Sequence, residues 1–172
     1  MIYVGIDPGK DGAIAYIKEN GKKGARVVPK IGSEYDKHEM VKVLKDLNPT
    51  HVVLENINSH SAKGRQGAFV MGKGVAYWEM ALIALKIPHT MVTPQVWQKE
   101  MWAGVKVQRK PSTKKKKDGS PALGSKDTKA TSMVAASRLF PDFDFTPTEK
   151  ATKKHDGMID AMLMAEYCKR NF

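Results

Sequence analysis

The opening stretch, Met1-Ile-Tyr-Val-Gly-Ile-Asp-Pro-Gly-Lys-Asp-Gly-Ala-Ile-Ala-Tyr-Ile17, constrains the fold more than any other part of the chain. Residues 2–6 are apolar and rich in β-branched side chains, the pattern of a short buried strand. The run stops at Asp7, Pro8-Gly9 signals a turn, and Gly12 to Ile17 leaves it as a second strand. The expected result is a central hairpin with a carboxylate where its first strand ends. A bare carboxylate in that setting is costly unless a cation meets it. A metal ion is the expected cation, and the remaining acids become its candidate ligands.

The rest of the chain reads as alternating strands and helices. Ala25 to Lys30 is an expected third strand, ending near Pro29. Short turns between these three strands imply an antiparallel start. Ser33-Glu-Tyr-Asp36 has capping-box spacing, and Met40, Val41, Leu44 and Leu47 then recur at helical intervals up to Asn48-Pro49. His51 to Asn56 is a short apolar strand, and strand–helix–strand order here suggests a parallel crossover. Residues 57–67 read as a loop. Residues 68–85 read as a helix, apolar nearly all round, expected to be deeply buried or to lie at a dimer contact. Ile87 to Val92 is a further strand, and Thr93-Pro94 opens a short helix. Two helices follow, Ser125 to Phe140, with Ser125 and Thr128 as candidate caps, and His155 to Cys168. The fold class is therefore α/β. The 172 residues fit one domain with a real core.

Four acids stand out by their setting. Asp7 ends the first strand and Glu55 ends the fourth. Asp156 and Asp160 lie i, i+4 at the start of the last helix, on one face. Like charges at that spacing repel, and a divalent cation would turn the repulsion into binding. An all-carboxylate set suits Mg²⁺ or Mn²⁺ and not zinc. Two such ions about 4 Å apart are a common device for cutting phosphodiesters. Each acid also has a plainer reading: Asp7 as a turn acid, Glu55 as a strand-end surface acid, Asp156 as a first-turn acid favoured by the helix dipole. Asp11 is a candidate outer acid and His155 a candidate ligand or proton carrier.

Charge points to the partner. The 29 Lys and Arg outnumber 18 Asp and Glu, giving +11, which favours a polyanion, nucleic acid first. Nine of the basic residues fall between Lys106 and Lys129: Lys106, Arg109, Lys110, Lys114, Lys115, Lys116, Lys117, Lys126 and Lys129. Residues 104–124 carry almost nothing apolar and read as a flexible basic loop that contacts DNA. No apolar run is long enough to cross a bilayer. Asp7 makes the start a poor signal peptide, and a single cysteine, Cys168, excludes an internal disulfide and suits a reducing, cytoplasmic setting.

Taken together, Asp7-Pro-Gly-Lys-x-Gly-Ala-Ile-Ala, Val-Val-Leu-Glu55 and His155-Asp156-Gly-x-x-Asp160-Ala resemble the RuvC-like Holliday junction resolvases, closest to their phage and prophage branch. The resemblance runs through almost the whole chain in order. It implies a ribonuclease H-like fold, a five-stranded mixed sheet with its first three strands antiparallel, flanked by helices. It implies a homodimer acting in DNA recombination and repair. That dimer grips a four-way junction and nicks it symmetrically, leaving 5′-phosphate and 3′-hydroxyl ends. Asp7, Glu55 and Asp160 match the family's metal ligands. The best-known bacterial members place their last two ligands three residues apart, which here selects Gly157. Asp156 at four and His155 at five are the alternatives, with Asp156 favoured. The family's basic residue near the scissile phosphate corresponds to Lys126 or Lys129. The 68–85 helix is the candidate dimer seam.

Other readings differ in what they need. Another nuclease of the same fold, acting on flaps or RNA–DNA hybrids, would share the carboxylates. A sugar-kinase or actin-like ATPase needs a second phosphate loop for which this chain has little room. A non-catalytic DNA-binding module would not gather carboxylates that repel phosphate.

Overall fold

The computed structural model describes residues 1–57, 64–115, 119–120 and 122–172. Its strands are β1 (Ile2–Asp7), β2 (Ala13–Lys18), β3 (Lys23–Val27), β4 (Lys30–Ile31), β5 (Glu34–Tyr35), β6 (His51–Glu55) and β7 (His89–Val92). Its helices are α1 (Lys37–Leu47), α2 (Gly64–Ala84), α3 (Pro94–Met101), α4 (Thr128–Leu139) and α5 (Asp156–Asn171). Five strands form one mixed sheet in the order β3-β2-β1-β6-β7. β1, β2 and β3 are antiparallel, as expected, and β6 and β7 run parallel to β1.

Strand periodicity sorts the core into two layers. Tyr3, Ala13, Ala15, Ile17 and Val53 face α3, α4 and α5. Val4, Ile6, Ile14, Val52 and Leu54 face α1 and α2. By the same alternation, Asp7 and Glu55 belong to the α5 side. Ile6 pairs with Leu54, so the next residue of each parallel strand, Asp7 and Glu55, ends side by side.

The α5 helix reaches this edge because Gly5 has no side chain. A Cβ there would meet Ala161 O at 2.2 Å and Ala165 N at 2.4 Å. The helix therefore lies backbone against backbone on β1, bringing the residue before Ala161 to the end of that strand.

Several boundaries differ from the sequence reading. The third strand is Lys23–Val27 and not 25–30. Residues 30–35 form a two-stranded hairpin of their own, β4 with β5, so Ser33 is not a helix cap. Asp36 caps α1, accepting from Glu39 N at 3.0 Å. α4 is capped by Asp127, which accepts from Ala130 N at 3.1 Å, not by Ser125 or Thr128. α2 begins at Gly64, within the expected loop; residues 58–63 of that loop lie outside the described residues. Only one stripe of α2 is buried, namely Gly74, Trp78, Ala81 and Leu82, while Phe69, Met80 and Ile83 are exposed. The helix is not buried all round. Among the described residues, no helix is long and apolar enough to cross a membrane.

Candidate metal centre and its basic surroundings

Three of the four singled-out acids meet at the C-terminal edge of β1 and β6. Asp7 is held by the turn that follows it: Gly9 N donates to Asp7 Oδ1 at 3.0 Å, and Gly12 N donates to Gly9 O at 2.8 Å. Gly12 packs so closely that a Cβ would sit 2.2 Å from Asp7 O. Glu55 is buried and accepts from Trp97 Nε1 at 2.9 Å. Asp160 approaches from α5, and its Oδ1 is buried with no hydrogen-bond partner among the described residues.

Lost hydration and neighbouring charge act together on all three. Burial pushes Asp7 up to about 6; the Gly9 N–H offsets part of this, Asp11 adds to it and Lys129 opposes it. Burial and then the charge of Asp7 push Glu55 to about 8, against the Trp97 hydrogen bond. Burial pushes Asp160 to about 7, with Asp7 and Asp156 adding and the nearby Ser132 hydroxyl and Lys129 subtracting. Each acid is thus raised first by lost hydration and then by a neighbouring acid.

Asp156 stands apart. It is half-exposed on the first turn of α5 and paired with Lys129 Nζ at 2.5 Å. That pairing raises Lys129. His155 is the N-cap of α5, its Nδ1 accepting from Met158 N at 3.3 Å, so that nitrogen is already engaged. Gly157 has no room for a longer residue: a Cβ would lie 2.8 Å from both Asp11 O and Gly12 Cα. Asp11 is exposed and paired with Lys30 at 3.1 Å.

The donors fit a hard divalent cation: carboxylate oxygens only, raised by one another's charge, with one buried oxygen, Asp160 Oδ1, left unpartnered among the described residues. Among the described residues no three or more acidic, histidine or cysteine side chains are grouped so that they could hold a metal ion as they stand. Asp7 and Asp160 both act on Glu55 by charge, and Asp7 on Asp160, from three different elements.

An open cleft of about 600 Å³ adjoins Asp7, lined also by Asp11, Ile57, Gln66, Val70 and Met71. Phe69, in the same turn of α2, is 68% exposed. Its exposure has no sequence signal, because an apolar helix does not announce which side is uncovered.

The two candidate lysines separate. Lys129 is bonded to Asp156 and acts on Asp7 and Asp160. Lys126 lines a different cleft with Gln95, Lys99 and Trp102, because it lies before the α4 cap and on the stem of the basic segment. That stem is drawn together by Lys110 N to Ser125 O and Asp127 N to Gln108 O, both 2.9 Å. Arg109 Nη1 also donates to Gly124 O at 2.9 Å. Lys106, Arg109, Lys110, Lys114 and Lys115 are exposed; Lys116 and Lys117 lie outside the described residues.

No protein-family model matches the sequence, and no curated protein matches it. Solved structures do. RuvC of Thermus thermophilus in complex with Holliday junction substrate is 14% identical, with 96% of this chain and 90% of that one covered and a TM-score of 0.56. Thermus thermophilus RuvC in another structure is 16% identical over 96% of this chain and 91% of that one, with a TM-score of 0.54. The yeast mitochondrial Holliday junction resolvase Ydc2 is 14% identical over 98% and 83%, with a TM-score of 0.49. The chain has the fold of RuvC: a mixed five-stranded sheet of the ribonuclease H-like class, with helices on both faces.

Proposed function

We propose that this chain is a divalent-metal-dependent endodeoxyribonuclease that resolves four-way DNA junctions. The observation that carries the reading is the gathering of Asp7, Glu55 and Asp160, each raised by lost hydration and by a neighbouring acid, at one edge of a strongly basic chain. Acids so placed repel a phosphodiester unless a cation stands between them.

Asp7, Glu55 and Asp160 would hold the ion or ions, Mg²⁺ or Mn²⁺. Asp156 joins them only by releasing Lys129. The metal supplies neutralisation of charge at the scissile phosphate and a more acidic water. Hydrolysis adds water to phosphorus and breaks the P–O3′ bond, leaving a 5′-phosphate and a 3′-hydroxyl. Lys129 places a fixed positive charge beside the reacting phosphate. Trp97 holds Glu55 in one orientation and keeps its carboxylate acceptor-ready. Lys106, Arg109, Lys110, Lys114 and Lys115, with Lys116 and Lys117, contact the DNA backbone, giving salt-sensitive binding without sequence choice.

A junction has two-fold pseudosymmetry, so two identical centres related by a two-fold axis can address two strands together. The exposed Phe69, Met80 and Ile83 of α2 make that helix the proposed seam of a homodimer. The setting is cytoplasmic, in a bacterial host cell if the chain is phage-encoded.

The test is cleavage of a labelled immobile four-way junction beside linear duplex, a flap and an RNA–DNA hybrid, with and without Mg²⁺. Paired nicks in the junction alone, lost in Asp160→Asn, support the reading. Preferential cutting of the flap or hybrid keeps the metal centre and replaces the substrate. Tight junction binding with no cutting in Mg²⁺ or Mn²⁺ overturns catalysis and leaves a DNA-binding module.

A further inference from the structure

Helix α3 has two working faces. One is buried: Trp97 and Met101 are in the core, and Trp97 bonds Glu55. The other carries Gln95, Gln98, Lys99 and, at the cap just past the helix, Trp102. These positions are i, i+3, i+4 and i+7, so they share one stripe. The stripe lines a cleft of about 510 Å³, whose opposite wall includes Lys126 and Thr128.

The lining has a definite chemistry. It holds two ammonium groups and no acid. Among the described residues neither Lys99 nor Lys126 has an ion-pair partner. The Trp102 ring is partly buried against the core, its Nε1 buried and without a hydrogen-bond partner among the described residues, so that only its ring is offered to the cleft. Two carboxamides and a hydroxyl offer both donors and acceptors. Cations alone would suit any anion. Cations beside an aromatic wall and a pair of amides suit an anion that carries a flat, polar-edged ring. The volume is that of a small-molecule site.

We propose that this cleft is a nucleotide subsite, which receives one nucleotide of a DNA strand passing the carboxylates. Trp102 packs against the base, Lys99 and Lys126 take the flanking phosphates, and Gln95 and Gln98 meet the base edge. Its position suits that role. The same helix touches Glu55 through Trp97, and Lys126 lies three residues before Lys129, which is bonded to Asp156. A strand held here lies on the helix that carries Trp97 and against the segment that leads to Lys129. The subsite rests on the nucleic-acid reading above, but not on junctions being the substrate.

The experiment is equilibrium binding of the full chain, without divalent metal, to a fluorescent four-way junction, a linear duplex and an RNA–DNA hybrid across a salt series. Lys99→Ala and Lys126→Ala should each lower the slope of log affinity against log salt by about 1. Trp102→Leu should weaken binding by roughly tenfold at every salt, with its slope unchanged. Because Trp102 also touches the core, Gln95→Ala/Gln98→Ala is the second variant, expected to weaken binding about fivefold with an unchanged thermal melt. If the parent prefers junctions and these variants bind as it does, the subsite is wrong and the junction reading survives. If the parent prefers duplex or hybrid and the variants weaken binding to it, the subsite stands and the junction reading falls. If the parent binds none of the three, even with Ca²⁺ added to screen the acids, both fall.

Discussion

Trp97 Nε1 donates to Glu55 Oε1 at 2.9 Å, in a buried bond between residues 42 apart in sequence. It joins α3 to the end of β6 and steadies the charged form of an acid that burial otherwise pushes to about 8. Trp97→Phe keeps an aromatic ring in the core and removes the donor. The expected loss of stability is about 2 kcal/mol at pH 9, where Glu55 is charged, and smaller at pH 6. Denaturant melts at both values check this; an equal loss at the two would make the indole a packing group only.

Without metal, the chain should lose stability as pH rises. Asp7, Glu55 and Asp160 are all raised above their usual values by burial. The folded chain therefore holds more protons than the unfolded one from about pH 4 to about pH 8, and stability falls across that window. Asp160→Asn removes one contributor. It should be more stable than the parent by on the order of 2 kcal/mol at pH 8, and by little at pH 4. Urea melts in the presence of a chelator measure the difference, and equal stability at pH 8 would contradict a desolvated Asp160.

Metal binding should release protons, because carboxylates raised to about 6, 8 and 7 must ionise to bind. Titration calorimetry with Mg²⁺ at pH 6.5, in two buffers of different ionisation enthalpy, should give heats that differ by more than one proton per chain. Asp7→Asn should reduce that number. Heats independent of the buffer would place the metal elsewhere.

Gly157 offers a test of the site's shape. A Cβ there meets Asp11 O and Gly12 Cα at 2.8 Å. Gly157→Asp should cost about 1–3 kcal/mol and should not restore cleavage to Asp156→Asn. Restored cutting would show that the Asp11-Gly12 turn yields easily.

Lys129 and Lys126 should fail differently. Lys129→Met removes a largely exposed ion pair with Asp156, so folding should change by about 1 kcal/mol or less. Junction cutting should fall by roughly a hundredfold at saturating DNA. Lys126→Met should instead weaken DNA binding, with the saturated rate little changed. The reverse pattern would exchange their roles.

Much of the frame was legible because it rests on local rules. The β1–β2 hairpin follows from an apolar run interrupted by Asp7-Pro-Gly, and strand alternation then decides which face Asp7 and Glu55 occupy. The i, i+4 spacing identified Asp156 and Asp160 as neighbours on one helix. It could not say that one lies within reach of the charge of Asp7 and the other turns to Lys129, since that depends on how α5 lies on β1. The β4–β5 hairpin was illegible because two-residue strands have no period. The choice of Asp127 over Ser125 and Thr128 as a cap was equally hidden, because all three types can cap and the stem of the basic segment decides where the helix begins. The Trp97–Glu55 bond spans too much sequence for any pattern to show it.

The backbone contact at Gly5 has a consequence for how freely such a chain can drift. At Gly5 the approach of α5 to β1 is main chain on main chain, with no side chain between them. Exchanges among the surrounding valines, leucines and methionines act on that spacing less directly than a side chain at residue 5 would. A lineage could rewrite most of its core and keep a working centre, provided a few positions, Gly5 foremost, never acquire a side chain.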